Sequence, residues 1–139
     1  MKAQIKWVDG AMFVAESESG HAVVIDGPAD GGGRNMGPRP MELVLMGTGA
    51  CSTYDVVSIL RKARQDIIDC QVELSAERAD AVPAVFTAIH MHFIVRGRQL
   101  AENQVARAVK LSAEKYCSAS IMLGAAGVKV THSHAVEEA

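Results

Sequence analysis

The sequence predicts an α+β domain in which antiparallel sheets surround a long, buried central helix. Three observations predict it. Short alternating runs at the N-terminus are joined by tight turn signals. One nearly all-apolar stretch of helical length, Pro40 to Arg64, fills the middle. Two further alternating runs precede a second helical pattern, so strands and helices are segregated along the chain rather than interleaved. The 139 residues suit one domain spanning 1–139, and a domain of this size buries roughly two thirds of its unfolded surface.

Ala3 to Val8 and Ala11 to Ala15 are β-type runs separated by Asp9-Gly10, the strongest short hairpin signal. A turn at Ser17 to Gly20 leads to a third run, His21 to Asp26, completing an antiparallel meander. Residues 27–39, GPADGGGRNMGPR, carry five glycines and two prolines and read as a mobile loop. Neither phosphate-binding glycine pattern occurs there.

Pro40 suits the first turn of a helix, Glu42 favours its positive end, and Arg61, Lys62 and Arg64 favour the other end. Leu43, Met46, Ala50, Thr53, Val57 and Leu60 form one stripe, widened by Leu45, Ser52, Val56 and Ile59. A helix apolar over most of its circumference is buried on several sides. Gly47 and Gly49 each lower helix propensity by about 1 kcal/mol, so another backbone is expected close to that turn. Cys51 lies on a different stripe, with Gly47 and Thr48 before it and Tyr54 and Asp55 after it. That stripe is small and polar, and it points the thiol at a cleft or partner.

Ile68 to Glu77 alternates strictly, with Cys70, Val72, Leu74 and Ala76 on one face. Cys70 therefore reads as a small core residue. Val85 to Arg96 is another strand, with His90 and His92 together on its polar face; a metal there would need a third ligand, and none is evident. Leu100 to Tyr116 reads as a second helix burying Val105, Ala108, Val109, Ser112 and Tyr116, which puts Cys117 at its end. A short turn at Ile121 to Leu123 and a last strand, Val128 to His134, close the order. The apolar stripe left over on the central helix predicts a homodimer.

Composition excludes several classes. The chain is 49% hydrophobic and 22% charged, ordinary for a globular protein, with an aliphatic core dictated by 4% aromatics. A net charge of −2 argues against nucleic acid or membrane as a partner. No unbroken apolar run approaches the roughly 18 residues of a membrane span, and none near the N-terminus has signal-peptide length, so a cytoplasmic location is expected. Three cysteines without a C-x-x-C exclude a zinc ribbon or a thioredoxin-type motif. No cofactor or metal is expected.

PMELVLMGTGACSTYDVVSIL, followed 66 residues after its cysteine by AEKYCSASIML, resembles the OsmC/Ohr superfamily, and within it the YhfA-like branch of OsmC-family proteins. The resemblance covers essentially the whole chain. It implies an intertwined homodimer with the long helices at its core. It also implies that Cys51 and Cys117 carry the chemistry of an organic hydroperoxide reductase. Cys51 would be the peroxidatic thiolate that becomes a sulfenic acid, and Cys117 would condense with it to a disulfide. A dithiol would then reduce that disulfide. The reductases supply an N-terminal arginine and a glutamate directly after the proline; here no arginine precedes Arg34, Met41 follows Pro40, and Glu42 comes one place later. Arg34 and Arg39 both remain candidates for the activating cation. An alternative is a non-enzymatic, redox-responsive or small-ligand-binding dimer that retains the cysteine pair.

Overall fold

A computed structural model describes residues 1–139, in the order β1 (Ala3–Asp9), β2 (Met12–Ser17), β3 (Ala22–Ile25), α1 (Pro40–Lys62), β4 (Asp66–Arg78), β5 (Phe86–Arg98), α2 (Glu102–Leu111), α3 (Ser118–Ala125) and β6 (Lys129–Glu138). Two compact units divide the chain, residues 1–44 and 45–139.

In the first unit, β1, β2 and β3 form an antiparallel meander. Its hairpin turns at Gly10, whose φ of +52° is the left-handed geometry that Asp-Gly favours. The 27–39 loop is anchored by one side chain. Asp26 is buried, and its carboxylate accepts the backbone N–H groups of Gly27, Arg34 and Met36 at 2.7, 3.0 and 3.1 Å. Cβ atoms added at Gly33 and Gly37 would collide with the backbone of Gly27 and of Val24. Gly33 and Gly37 therefore serve close packing beside a buried anion. Burial alone would raise the Asp26 pKa, but the three amides and the Arg34 charge outweigh it and hold it below the usual carboxylate value. A depressed folded pKa contributes stability above the unfolded value near 3.8, and that contribution is lost as pH falls through the lower folded pKa. Asp26→Asn, which cannot serve three amides as an anion does, should raise the rate of proteolytic cleavage within residues 27–39 roughly tenfold. Equal cleavage of variant and parent at pH 7 would refute the anchor.

In the second unit, β4, β5 and β6 form one sheet. β4 pairs antiparallel with β5, but β6 runs parallel to β5, which corrects the all-antiparallel expectation. The β5–β6 connection contains α2 and α3, a crossover long enough to return the chain to the starting end of β5. Ile89, Met91, Phe93 and Val95 of β5 are fully buried on the side of the sheet that α2 covers with Val105, Ala108 and Val109. The other side is polar. There His90 meets Thr131 and Ser133 at 2.7 and 2.9 Å, and His92 meets Ser133 at 2.8 Å. His132 and His134 of β6 instead reach Glu114 (3.5 Å) and Glu102 (2.6 Å) on the helical segments.

The central helix differs most from expectation. It buries a single narrow stripe, Thr48, Gly49, Ser52, Val56 and Leu60, instead of most of its circumference. Val44, Met46 and Tyr54 are exposed in the single chain, Tyr54 at 76%. No backbone lies within 4 Å of a Cβ at Gly47, and a Cβ at Gly49 would meet the Leu74 side chain. The close approach that the glycines allow is thus to a leucine of β4. By length and composition α1 is also apolar enough to cross a membrane; no unbroken apolar run shows this, because Thr48, Ser52 and Thr53 interrupt the pattern.

Candidate active site

Two helix ends and one mid-helix turn bring the site together. The helix expected to run to Tyr116 ends as α2 at Leu111, and Ser112–Tyr116 is a π-turn. Tyr116 is consequently exposed rather than buried. The extra residue per turn lets the chain leave the helix at Cys117, whose φ of −69° and ψ of 105° are extended. Cys117 is then the N-cap of α3, and its sulfur accepts from the Ser120 N–H at 3.4 Å and the Ser120 hydroxyl at 3.2 Å.

The π-turn is fastened to α1 by two buried serines. Ser52 and Ser112 hydroxyls lie 2.6 Å apart, and Ser112 also donates to the Ser52 carbonyl at 2.9 Å. One turn earlier, the Thr48 carbonyl faces the Cys117 thiol at 3.9 Å. These contacts set Cys117 against the stripe of α1 that carries Cys51 and Asp55.

The result is a cluster in which the Cys51 and Cys117 sulfurs and an Asp55 carboxylate oxygen all lie within 4.8 Å of one another. Both thiols are free. Cys51 is half-buried and Cys117 is fully buried. The two sulfurs are therefore no more than 4.8 Å apart, against about 2.05 Å in a disulfide. Burial, reinforced by the Cys51 sulfur, pushes the Cys117 thiol up, and the two Ser120 donors pull the other way. Burial also raises the Asp55 carboxyl, against the Ser112 hydroxyl beside it. One Asp55 oxygen, Oδ2, is buried without a hydrogen-bond partner.

Cys70 stays apart from this cluster, on the apolar side of β4, where burial and then Asp69 push its thiol up to about 11. The two candidate cations are both engaged inside residues 1–44. Arg34 pairs with Asp9, and Arg39 donates to Asn35 Oδ1 at 2.6 Å. Glu42 accepts the Arg39 N–H at 2.9 Å, closing the first turn of its own helix. Asp55, Ser112 and Ser120 were missed as members of the site. The Cys-x-x-Ser spacing of a capped helix start and the acid four residues after Cys51 were the available signals. A cleft of about 480 Å³ is lined by Asp55 of the cluster together with Ser58, Ile59, Lys62, Arg107, Leu111 and Tyr116; neither Cys51 nor Cys117 lines it.

Comparison with known proteins bears on the family and the fold. Residues 31–133 match the family model described as OsmC-like protein. Protein YhfA of Escherichia coli strain K12 is 53% identical over 136 residues, 98% of each chain. A crystal structure of a hypothetical protein from Aquifex aeolicus superposes with a TM-score of 0.80 at 28% identity, covering 98% of this chain and 96% of that one. A Legionella pneumophila protein described as organic hydroperoxide resistance protein OsmC shares the fold, with a TM-score of 0.72 at 18% identity over 97% of each chain. With the family model spanning most of the sequence and half of all residues shared with a full-length relative, the chain belongs to the OsmC-like protein family.

Proposed function

We propose that this protein is a thiol-dependent peroxidase that reduces organic hydroperoxides. The observation that carries the reading is the half-buried Cys51 sulfur within 4.8 Å of the fully buried Cys117 sulfur. Exposure orders the roles. A hydroperoxide reaches Cys51 first, because Cys117 has no surface of its own. The Cys51 thiolate attacks the distal oxygen, the O–O bond breaks, and the alkoxide leaves as an alcohol after taking a proton. Cys51 is then a sulfenic acid. The Cys117 sulfur attacks it, the S–O bond breaks, water departs, and a Cys51–Cys117 disulfide remains. An external dithiol returns two electrons by exchange.

The Ser120 donors support the second step, since an N–H and an O–H aimed at sulfur stabilise the attacking thiolate. The description of the Legionella structural neighbour as an organic hydroperoxide resistance protein also favours this reading. Homodimerisation belongs to the same proposal. Met46 and Tyr54 of α1 are exposed apolar side chains that a second copy would cover. The cytoplasm, where dithiol reductants are available, is the compartment that suits the cycle.

The test is intact mass after one equivalent of cumene hydroperoxide. Reduced protein should lose about 2 Da as the disulfide forms, and a dithiol should reverse it. Cysteines left unmodified would sink the reading. A second reading, a redox-responsive dimer without useful turnover, is favoured by the engagement of Arg34 with Asp9 and of Arg39 with Asn35. Disulfide formation no faster than oxidation of a small-molecule thiol would select it.

A further inference from the structure

Three ligating groups of two chemical kinds converge at this site. Cys51 and Asp55 are four residues apart on α1 and so share a face one turn apart. Cys117 comes from the start of α3, 66 residues further along the chain. Their sulfur and oxygen atoms lie within 4.8 Å of one another. Tetrahedral zinc with Zn–S bonds near 2.3 Å places its sulfurs about 3.8 Å apart, so contraction by at most about 1 Å would close the site.

Two features separate this cluster from a chance grouping. Asp55 Oδ2 is buried without a hydrogen-bond partner, and buried carboxylate oxygens are otherwise satisfied by donors or by cations. The second is the shell behind the ligands. The Ser120 N–H and hydroxyl both donate to the Cys117 sulfur, the arrangement that orients a metal-bound thiolate. Cys51, half-buried, leaves room on its outer side for a fourth ligand such as water.

We propose that Cys51, Asp55 and Cys117 of the reduced protein bind one Zn²⁺ ion, with water in the fourth position. Two thiolates and one carboxylate are a donor set for a borderline divalent ion; Cu⁺ would use the sulfurs and leave the carboxylate idle. Binding releases the protons of the ligating groups to solvent, with no change of oxidation state. Zinc holds the two sulfurs as thiolates and blocks their condensation. Oxidation of the pair to a disulfide by an organic hydroperoxide, itself reduced to an alcohol and water, removes two ligands at once and expels the ion. The inference rests on the proximity of the thiols and not on peroxidase turnover.

The experiment uses chelator-stripped, reduced, full-length protein under anaerobic conditions, titrated with Zn²⁺ in competition with a chromophoric chelator. One ion per chain is expected. Because loss of an outer-shell partner already weakens metal binding about 10–100-fold, Asp55→Asn should weaken it at least as much. Cys51→Ser and Cys117→Ser should each abolish stoichiometric uptake, and Cys70→Ser should leave it intact. Co²⁺ loaded into parent protein should give sulfur-to-cobalt charge-transfer bands that vanish in both site-cysteine variants, and circular dichroism checks that every variant is folded. Sub-stoichiometric uptake, or equal affinity in folded Asp55→Asn, would overturn the proposal. Zinc binding without hydroperoxide reactivity would uphold this site and discard the peroxidase reading; the reverse result would do the opposite.

Discussion

Cys51→Ser is expected to lower the steady-state rate of organic hydroperoxide consumption, with excess dithiol present, by roughly a thousandfold or more. A serine hydroxyl is not ionised near neutrality and cannot pass to a sulfenic acid, so no residual cycle runs through the position. Cys117→Ser should behave differently, because Cys117 is buried and in the proposed cycle enters only after the O–O bond has broken. That variant should consume its first equivalent at close to the parental rate. It should then accumulate Cys51 sulfenic acid, trapped by a dimedone-type reagent, and drift to the irreversible sulfinic state. Stopped-flow peroxide consumption with mass analysis of the trapped species measures both. Retention of more than a tenth of parental turnover by Cys51→Ser would remove Cys51 from the chemistry. Equal first-equivalent losses in both variants would mean that Cys117 also takes part before bond cleavage.

The largest effect on stability is expected from Phe93→Ala, which should cost about 3–5 kcal/mol. Phe93 is fully buried in the middle strand of its sheet, paired with Val72 on one side and His134 on the other. Met91 and Val95, two residues away in each direction, share its face and are equally inaccessible. With α2 packed across that side, neighbours on a backbone fixed by ladders at both edges have little freedom to fill the void. Set against total stabilities of about 5–15 kcal/mol, the loss should appear as a large drop in the urea midpoint. Ile94→Ala, on the polar side of the same strand and half-buried, is the control and should cost markedly less. A Phe93→Ala penalty below about 1 kcal/mol would show that the sheet relaxes around the cavity.

Much of this was legible in the chain. Period-two alternation located β4 and β5 because each has one wet and one dry face, and that pattern is written one residue at a time. Asp9-Gly10 located the first hairpin, because a left-handed turn residue is a local requirement. The pairing of Cys51 with Cys117 was legible only through family resemblance; no spacing rule connects residues 66 positions apart.

What stayed hidden was non-local in each case. The direction of β6 depends on how a crossover folds back, which its own residues do not encode. The glycine-rich 27–39 segment looked free, because the anchor that orders it is a single aspartate preceding it. The breadth of apolar surface on α1 suggested burial all round, yet a single chain covers only the stripe Thr48, Gly49, Ser52, Val56 and Leu60. Composition reports what a surface prefers, not whether one chain supplies the cover. The site itself follows the same division. Sequence determined its chemistry, two thiols and the acid four residues after the first, because side-chain identity fixes nucleophile and ligand type. Tertiary structure alone decided the geometry. The π-turn at Ser112–Tyr116 and the Ser52–Ser112 contact swing Cys117 under α1, and an approach of less than 5 Å between segments so distant in sequence exists only once the chain has folded.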